Sequence, residues 1–172
     1  KPFLLTLAET LATIMKKITL IIIITFCNLT LKSQVSDSSL SKAYFNQINE
    51  NYNDAVALYS IILESDSTSY DALLNRGICY SMIDQNEKSL ADFQKALLIK
   101  PKSGFAMIGI ATISGVLEKH NMAIEYFQKA LKIKIELNYT DYFNLGTAYY
   151  SLGKIDSAKH YLEHSYNLDK VN

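Results

Sequence analysis

His160-Tyr161-Leu162-Glu163-His164 sets two imidazoles one helical turn apart with a carboxylate between them. On a helix that spacing places both rings on one side, where they could share a metal ion. A catalytic zinc also needs a third protein ligand and a shielded open position. Leu162 must face inward if this segment is a helix, which turns His160, Glu163 and His164 towards water, so no metal site is expected. Cys79 stands beside Tyr80 in an apolar stretch and reads as a packed, inert thiol. His120 opens a helix alone. With no Gly-rich phosphate loop and no Ser-His-Asp set, no catalytic residue and no cofactor are expected. Asn75 and Asn144 are different: their amides can donate to and accept from an extended peptide backbone.

The elements that carry these residues recur. The stretch Tyr70 to Ser103 holds two amphipathic segments and a turn, with small residues at Gly77, Ser89 and Ala96, large ones at Tyr80 and Phe93, and Pro101 just past the second segment. Ala55, Ser89, Ala123 and Ala158 repeat the second small position at spacings of 34, 34 and 35 residues. Ala43, Gly77, Ala111 and Gly146 repeat the first, and Tyr59, Phe93, Phe127 and Leu162 follow one turn after the second. One extra residue falls near Asn138. Helices are predicted at about 38–48, 52–64, 70–82, 87–99, 104–116, 121–134, 139–151 and 155–168. Short turns between them make successive helices antiparallel neighbours.

This pattern resembles the tetratricopeptide repeat, whose unit is a helix-turn-helix of about 34 residues with Leu-Gly, Tyr, Ala, Phe and Pro positions. Tyr142, Leu145, Gly146, Tyr149, Gly153 and Ala158 match it best; Leu73, Arg76 and Ser89 depart from it, and Ser39 and Asn46 make the first unit the weakest. The resemblance implies an all-α, right-handed α-solenoid of about four antiparallel repeats at 36–69, 70–103, 104–137 and 139–172. It implies a scaffold for protein-protein interaction, not an enzyme, that takes a peptide or helix of a partner in a concave groove. Carried over position by position, that groove is lined by Leu40, Tyr44, Leu74, Asn75, Ile78, Phe105, Ile108, Thr112, Phe143, Asn144, Thr147 and Tyr150. The surface is apolar and aromatic. Leu74, Ile78, Phe105 and Gly109 stand where the chaperone-binding members grip a carboxylate with cationic groups, which sets this chain apart from them. The alternative is a structural subunit of an envelope assembly that packs through the solenoid ends, with self-association through the C-terminal end, where Tyr161, Leu162 and Tyr166 would meet a next repeat. His160 to His164 also match the inverted zinc-protease pattern literally, against which the repeat frame argues.

Residues before the repeats have another character. Met15-Lys16-Lys17, the apolar run Ile18 to Leu31 and Lys32-Ser33-Gln34 form the three parts of a secretory signal peptide over 15–33, followed by a polar linker at 34–39. As a helix the apolar run reaches about 21 Å, against about 30 Å of bilayer hydrocarbon. A signal anchor that is not cleaved is the second reading, and it is the only membrane contact expected. Cys27 follows Phe26 where a lipid-modified Cys follows a small residue. Residues 1–14, upstream of Met15, read as an upstream extension or a fragment end. The chain is expected to be exported to the periplasm, the envelope or the medium. Of the 17 Lys and Arg four precede Ser33, as does one of the 17 Asp and Glu, so a chain cut there keeps 13 against 16. A slightly acidic chain excludes a nucleic-acid partner.

Overall fold

The structure is a computed structural model that describes residues 2–170, with side chains described for 14–26 and 38–170. It divides into two compact units, Lys1–Ser39 and Leu40–Asn172. In the first, helix α1 (Pro2–Ile48) begins, and every described residue from Ile14 to Phe26 is exposed. Among the described residues no helix is long and apolar enough to cross a membrane. Residues 34–39, expected as a linker, are helical within α1. QVSDSS holds neither Gly nor Pro, so nothing in it ends a helix. The side chain of Cys27 lies outside the described residues.

The second unit takes the end of α1 and seven further helices: α2 (Tyr52–Ser65), α3 (Tyr70–Met82), α4 (Asn86–Ile99), α5 (Gly104–Val116), α6 (His120–Lys132), α7 (Tyr139–Ser151) and α8 (Ile155–Asp169). Consecutive helices from α2 onward pack against each other, and α5 also touches both α3 and α7. The first helices of successive hairpins therefore share one face. Ala43, Gly77, Ala111 and Gly146 are buried, as are Ala55, Ser89, Ala123 and Ala158 at the crossings opposite them. Small residues let the two backbones approach, and Tyr59, Phe93 and Phe127 fill the space beside the contact. Where Ser89 replaces Ala, its buried Oγ donates to the Gly77 carbonyl at 2.7 Å, so the hydroxyl costs no unpaired donor.

The hairpin turns repeat as closely as the helices. Glu50, Asp84, Glu118 and Gly153 have φ of 62°, 57°, 58° and 68°. Each left-handed residue lets the next N–H reach back to the preceding helix: Asn51 to Asn46, Gln85 to Tyr80, Lys119 to Ser114 and Lys154 to Tyr149, at 2.8 to 3.0 Å. The extra residue of the sequence is absorbed between α6 and α7, where Lys134 adds another left-handed position at φ 61° and ends α6 two residues before the expected Lys134. Asn138 and Asp141 then start α7 with a reciprocal capping box.

Candidate functional site

The groove face is built by α3, α5 and α7 with the end of α1. Its twelve expected residues fall into six settings. Leu40, Leu74, Ile78 and Ile108 are half-buried against the inter-helix cores. Stacking covers these positions because each lies beside the next hairpin. Tyr44 and Tyr150 stand exposed on α1 and α7. Phe105 is 77% exposed, but it sits at the start of α5, in an open hollow with Tyr70, Lys100, Pro101 and Lys102. Phe143 lies on the outer side of α7, sharing a hollow of ≈ 370 Å³ with Tyr139, Leu162, Ser165 and Tyr166.

Thr112, Asn144 and Thr147 come together in a pocket of ≈ 240 Å³ between the ends of α5 and α7, with Gly115, Val116, His120, Ala148 and Ser151. Thr147 Oγ1 donates to the Asn144 carbonyl at 2.9 Å and Ser151 Oγ to the Thr147 carbonyl at 3.0 Å, which leaves both hydroxyl oxygens as acceptors. The Asn144 amide has no partner among the described residues, whereas Asn75 Nδ2 is engaged by the Asp71 carbonyl at 2.8 Å. His120 Nδ1 is buried without a hydrogen-bond partner. The stretch expected to be apolar and aromatic is thus polar here. His120 was legible only as an isolated histidine; the turn at Glu118 is what brings it to the face.

Other chemistry is structural. Arg76 Nε and its terminal nitrogen donate to the two Asp92 carboxylate oxygens at 2.7 and 2.9 Å, and its other terminal nitrogen donates to Ser60 Oγ at 3.0 Å. This joins α2, α3 and α4, with Asp92 buried, and the bonds to Asp92 hold the guanidinium above its ordinary pKa. Burial pushes the Cys79 thiol up to about 11, so at neutral pH it is protonated and unreactive. His160 and His164 are exposed; the His164 ring rests edge-on at 4.3 Å from Tyr142, and Glu163 lies 3.8 Å from Lys159. Among the described residues no three His, Cys, Asp or Glu side chains converge as metal ligands. Tyr161, expected on the outer end, turns inward instead and stacks on Tyr149 at 5.4 Å.

The tetratricopeptide repeat family matches residues 70–103, 106–134 and 142–172. A probable UDP-N-acetylglucosamine–peptide N-acetylglucosaminyltransferase SPINDLY of Solanum lycopersicum is 34% identical over 83 residues, 46% of this chain and 8% of its own length. DnaJ homolog subfamily C member 7 of Homo sapiens is 32% identical over 122 residues, 62% of this chain and 25% of its own. The chain thus spans less than a tenth of the first of these relatives and a quarter of the second. Among solved structures, MamA superposes with a TM-score of 0.71 at 22% identity, covering 78% of each chain. PilW, a type IV pilus biogenesis factor, gives 0.66 at 28% identity over 77% of this chain and 61% of its own. The second repeat domain of Spaghetti, solved with an HSP90 peptide, gives 0.56 at 21% identity over 58% of this chain and 92% of its own.

Proposed function

Because the chain belongs to the tetratricopeptide repeat family, we propose that it is an exported, non-catalytic scaffold that takes a peptide or helix of a protein partner on the face shared by α3, α5 and α7. The observation that carries this reading is the pocket of Thr112, Asn144, Thr147 and His120. It holds the Asn144 amide, which has no hydrogen-bond partner among the described residues, flanked by the exposed Tyr150, with His120 packed into its wall. Groups left unpaired on a concave surface are available to a segment laid across it, and an exposed aromatic beside them offers apolar contact. The peptide bound to the Spaghetti domain is a precedent on the same fold. Export rests on the order of charge, apolar run and polar exit from Met15 to Gln34.

Capture of partners from an envelope fraction tests the reading. Asn144→Leu and Tyr150→Ala should each weaken capture by tenfold or more on the scale of interface anchors, about 1.4 kcal/mol, with helicity unchanged. Equal capture by both variants would defeat it. Fusing residues 15–39 to a reporter active only after export tests the localisation.

A second reading, packing through the solenoid end, is supported by Phe143, Leu162 and Tyr166. Leu74, Phe93 and Leu97 hold the same repeat positions in the second hairpin, and the next hairpin covers them there. Loss of self-association in Tyr166→Ser, measured by sedimentation at several concentrations, would favour it.

A further inference from the structure

The edge of the solenoid opposite the polar pocket carries a different signal. The loop between α4 and α5 holds Lys100 and Lys102; the end of α6 and the loop after it hold Lys132 and Lys134. Stacking brings these two segments into contact: a Cβ on Gly104 would fall 2.5 Å from Ile135 Cγ1, so only glycine fits at that meeting point. All four lysines lie within four residues of that contact, all are exposed, and none pairs with a carboxylate among the described residues. Lys100 Nζ lies 3.7 Å over the Tyr70 ring. Glu136 is the acidic residue of these loops. Favourable placement at the negative end of a helix accounts for Lys100 and Lys132, but Lys102 and Lys134 lie beyond the ends of α4 and α6. Nor is it a property of every repeat, since the loop after α2 carries Asp66 and no lysine.

Apolar side chains accompany the cations. Leu98 is 80% exposed at the end of α4, and Ile133 and Phe105 are exposed beside Lys132 and Lys102. These residues stand at the beginning of α5 and the ends of α4 and α6, whereas the polar pocket lies at the far end of α5. A peptide lying in the groove would meet the pocket. Loop tips from two adjacent repeats instead form an outward rim of lysines with apolar residues among them, the combination that suits an anionic bilayer interface, with ammonium groups at headgroup phosphates and apolar groups at the acyl boundary.

We infer that this rim, Lys100, Lys102, Lys132 and Lys134 with Leu98 and Ile133, docks the repeat domain onto an anionic phospholipid surface. The inference does not depend on the groove binding a partner. It is tested by floating the full chain with vesicles of phosphatidylcholine and with vesicles that also contain phosphatidylglycerol. Because the parent and every variant share the N-terminal segment with its Lys16, Lys17 and Lys32, comparing their gains from one vesicle to the other cancels any binding by that segment. The rim's share of the gain should fall by roughly fivefold for each lysine replaced by Gln, leave in the fourfold variant only what the N-terminal segment supports, and shrink with added salt. Leu98→Ser with Ile133→Ser should lower it severalfold at unchanged charge. Circular dichroism of each variant confirms that the exposed substitutions leave the helices intact. A fourfold variant that gains as much as the parent would overturn the inference, as would a parent that gains nothing. If soluble polyglutamate bound the same lysines and the apolar substitutions had no effect, the rim would be assigned to an acidic protein segment instead.

Discussion

The second and fourth hairpins obey one frame and close it with different chemistry. Both bring small residues to the crossing, Gly77 with Ser89 and Gly146 with Ala158. Between α3 and α4 the remaining space holds the Arg76–Asp92 pair and the Ser89 hydrogen bond. Between α7 and α8 it holds the stacked rings of Tyr142, Tyr149 and Tyr161, and Ser165 Oγ donates to the Tyr139 carbonyl at 2.6 Å. Their outer sides differ too: Leu90 is buried by the following hairpin, while Lys159 at the equivalent position of α8 is exposed. The frame thus fixes where two helices cross, and leaves open whether charge, hydroxyl or aromatic surface fills the rest.

The comparison breaks most sharply at the ion pair. Asp92→Ala should cost about 3–5 kcal/mol in urea denaturation, because it strands a half-buried guanidinium. Replacing both partners together, Arg76→Leu with Asp92→Leu, should recover most of that loss. If the single variant loses less than the double, the pair does not hold the second hairpin.

Close approach separates the hairpins next. A Cβ on Gly146 would lie 2.7 Å from Leu162 Cγ and 3.2 Å from its backbone nitrogen, while one on Gly77 would lie 3.1 Å from the Phe93 ring edge. Gly146→Ala should lose about 1–3 kcal/mol to overpacking. Gly77→Ala should stay within about 1 kcal/mol of the parent, since the gain in helix propensity offsets a milder clash. Thermal denaturation of the two side by side decides it, and Ala123→Leu, at the crossing of the third hairpin, should fall in the range of Gly146→Ala.

The turns offer a smaller contrast. Asp84 holds a left-handed conformation that Gly153 adopts without a Cβ penalty. Asp84→Gly should therefore raise stability by up to about 1 kcal/mol and Gly153→Asp lower it by a similar amount; melting temperatures that move the other way would show that the side chain of Asp84 compensates for its backbone.

The smallest effect is one of pH. Burial raises the Asp141 pKa above its ordinary 3.8, against the opposing hydrogen bond from the Asn138 backbone. Its folded state thus holds the proton more tightly than the unfolded one, so this group's contribution to stability falls as pH rises through the range just above 3.8. Asp141→Asn should flatten that slope. An unchanged slope would place the titrating group elsewhere.

The repeat frame was legible because it is local and periodic. Ala55, Ser89, Ala123 and Ala158 recur at a fixed distance, and a helix hairpin can bury only the residues that its own spacing places inward. The hairpin turns were less so, for Glu50, Asp84 and Glu118 carry no glycine to announce a left-handed residue. For the candidate groove, sequence position alone named Thr112, Asn144 and Thr147 but gave the same standing to Phe105 and Phe143, which the fold puts at a loop rim and at the end face. Exposure at such a position depends on whether a neighbouring hairpin lies over it, and one hairpin's sequence does not contain that answer. The Arg76 and Asp92 partnership, His120 against the α7 face and Gly104 against Ile135 likewise join residues 16 to 31 positions apart across stacked helices. Sequence alone determined the hairpin helices of the repeats and their crossings, since those follow from short-range pattern; tertiary structure alone decided which polar groups remain unpaired and which lysines gather, because burial and proximity are properties of the stack.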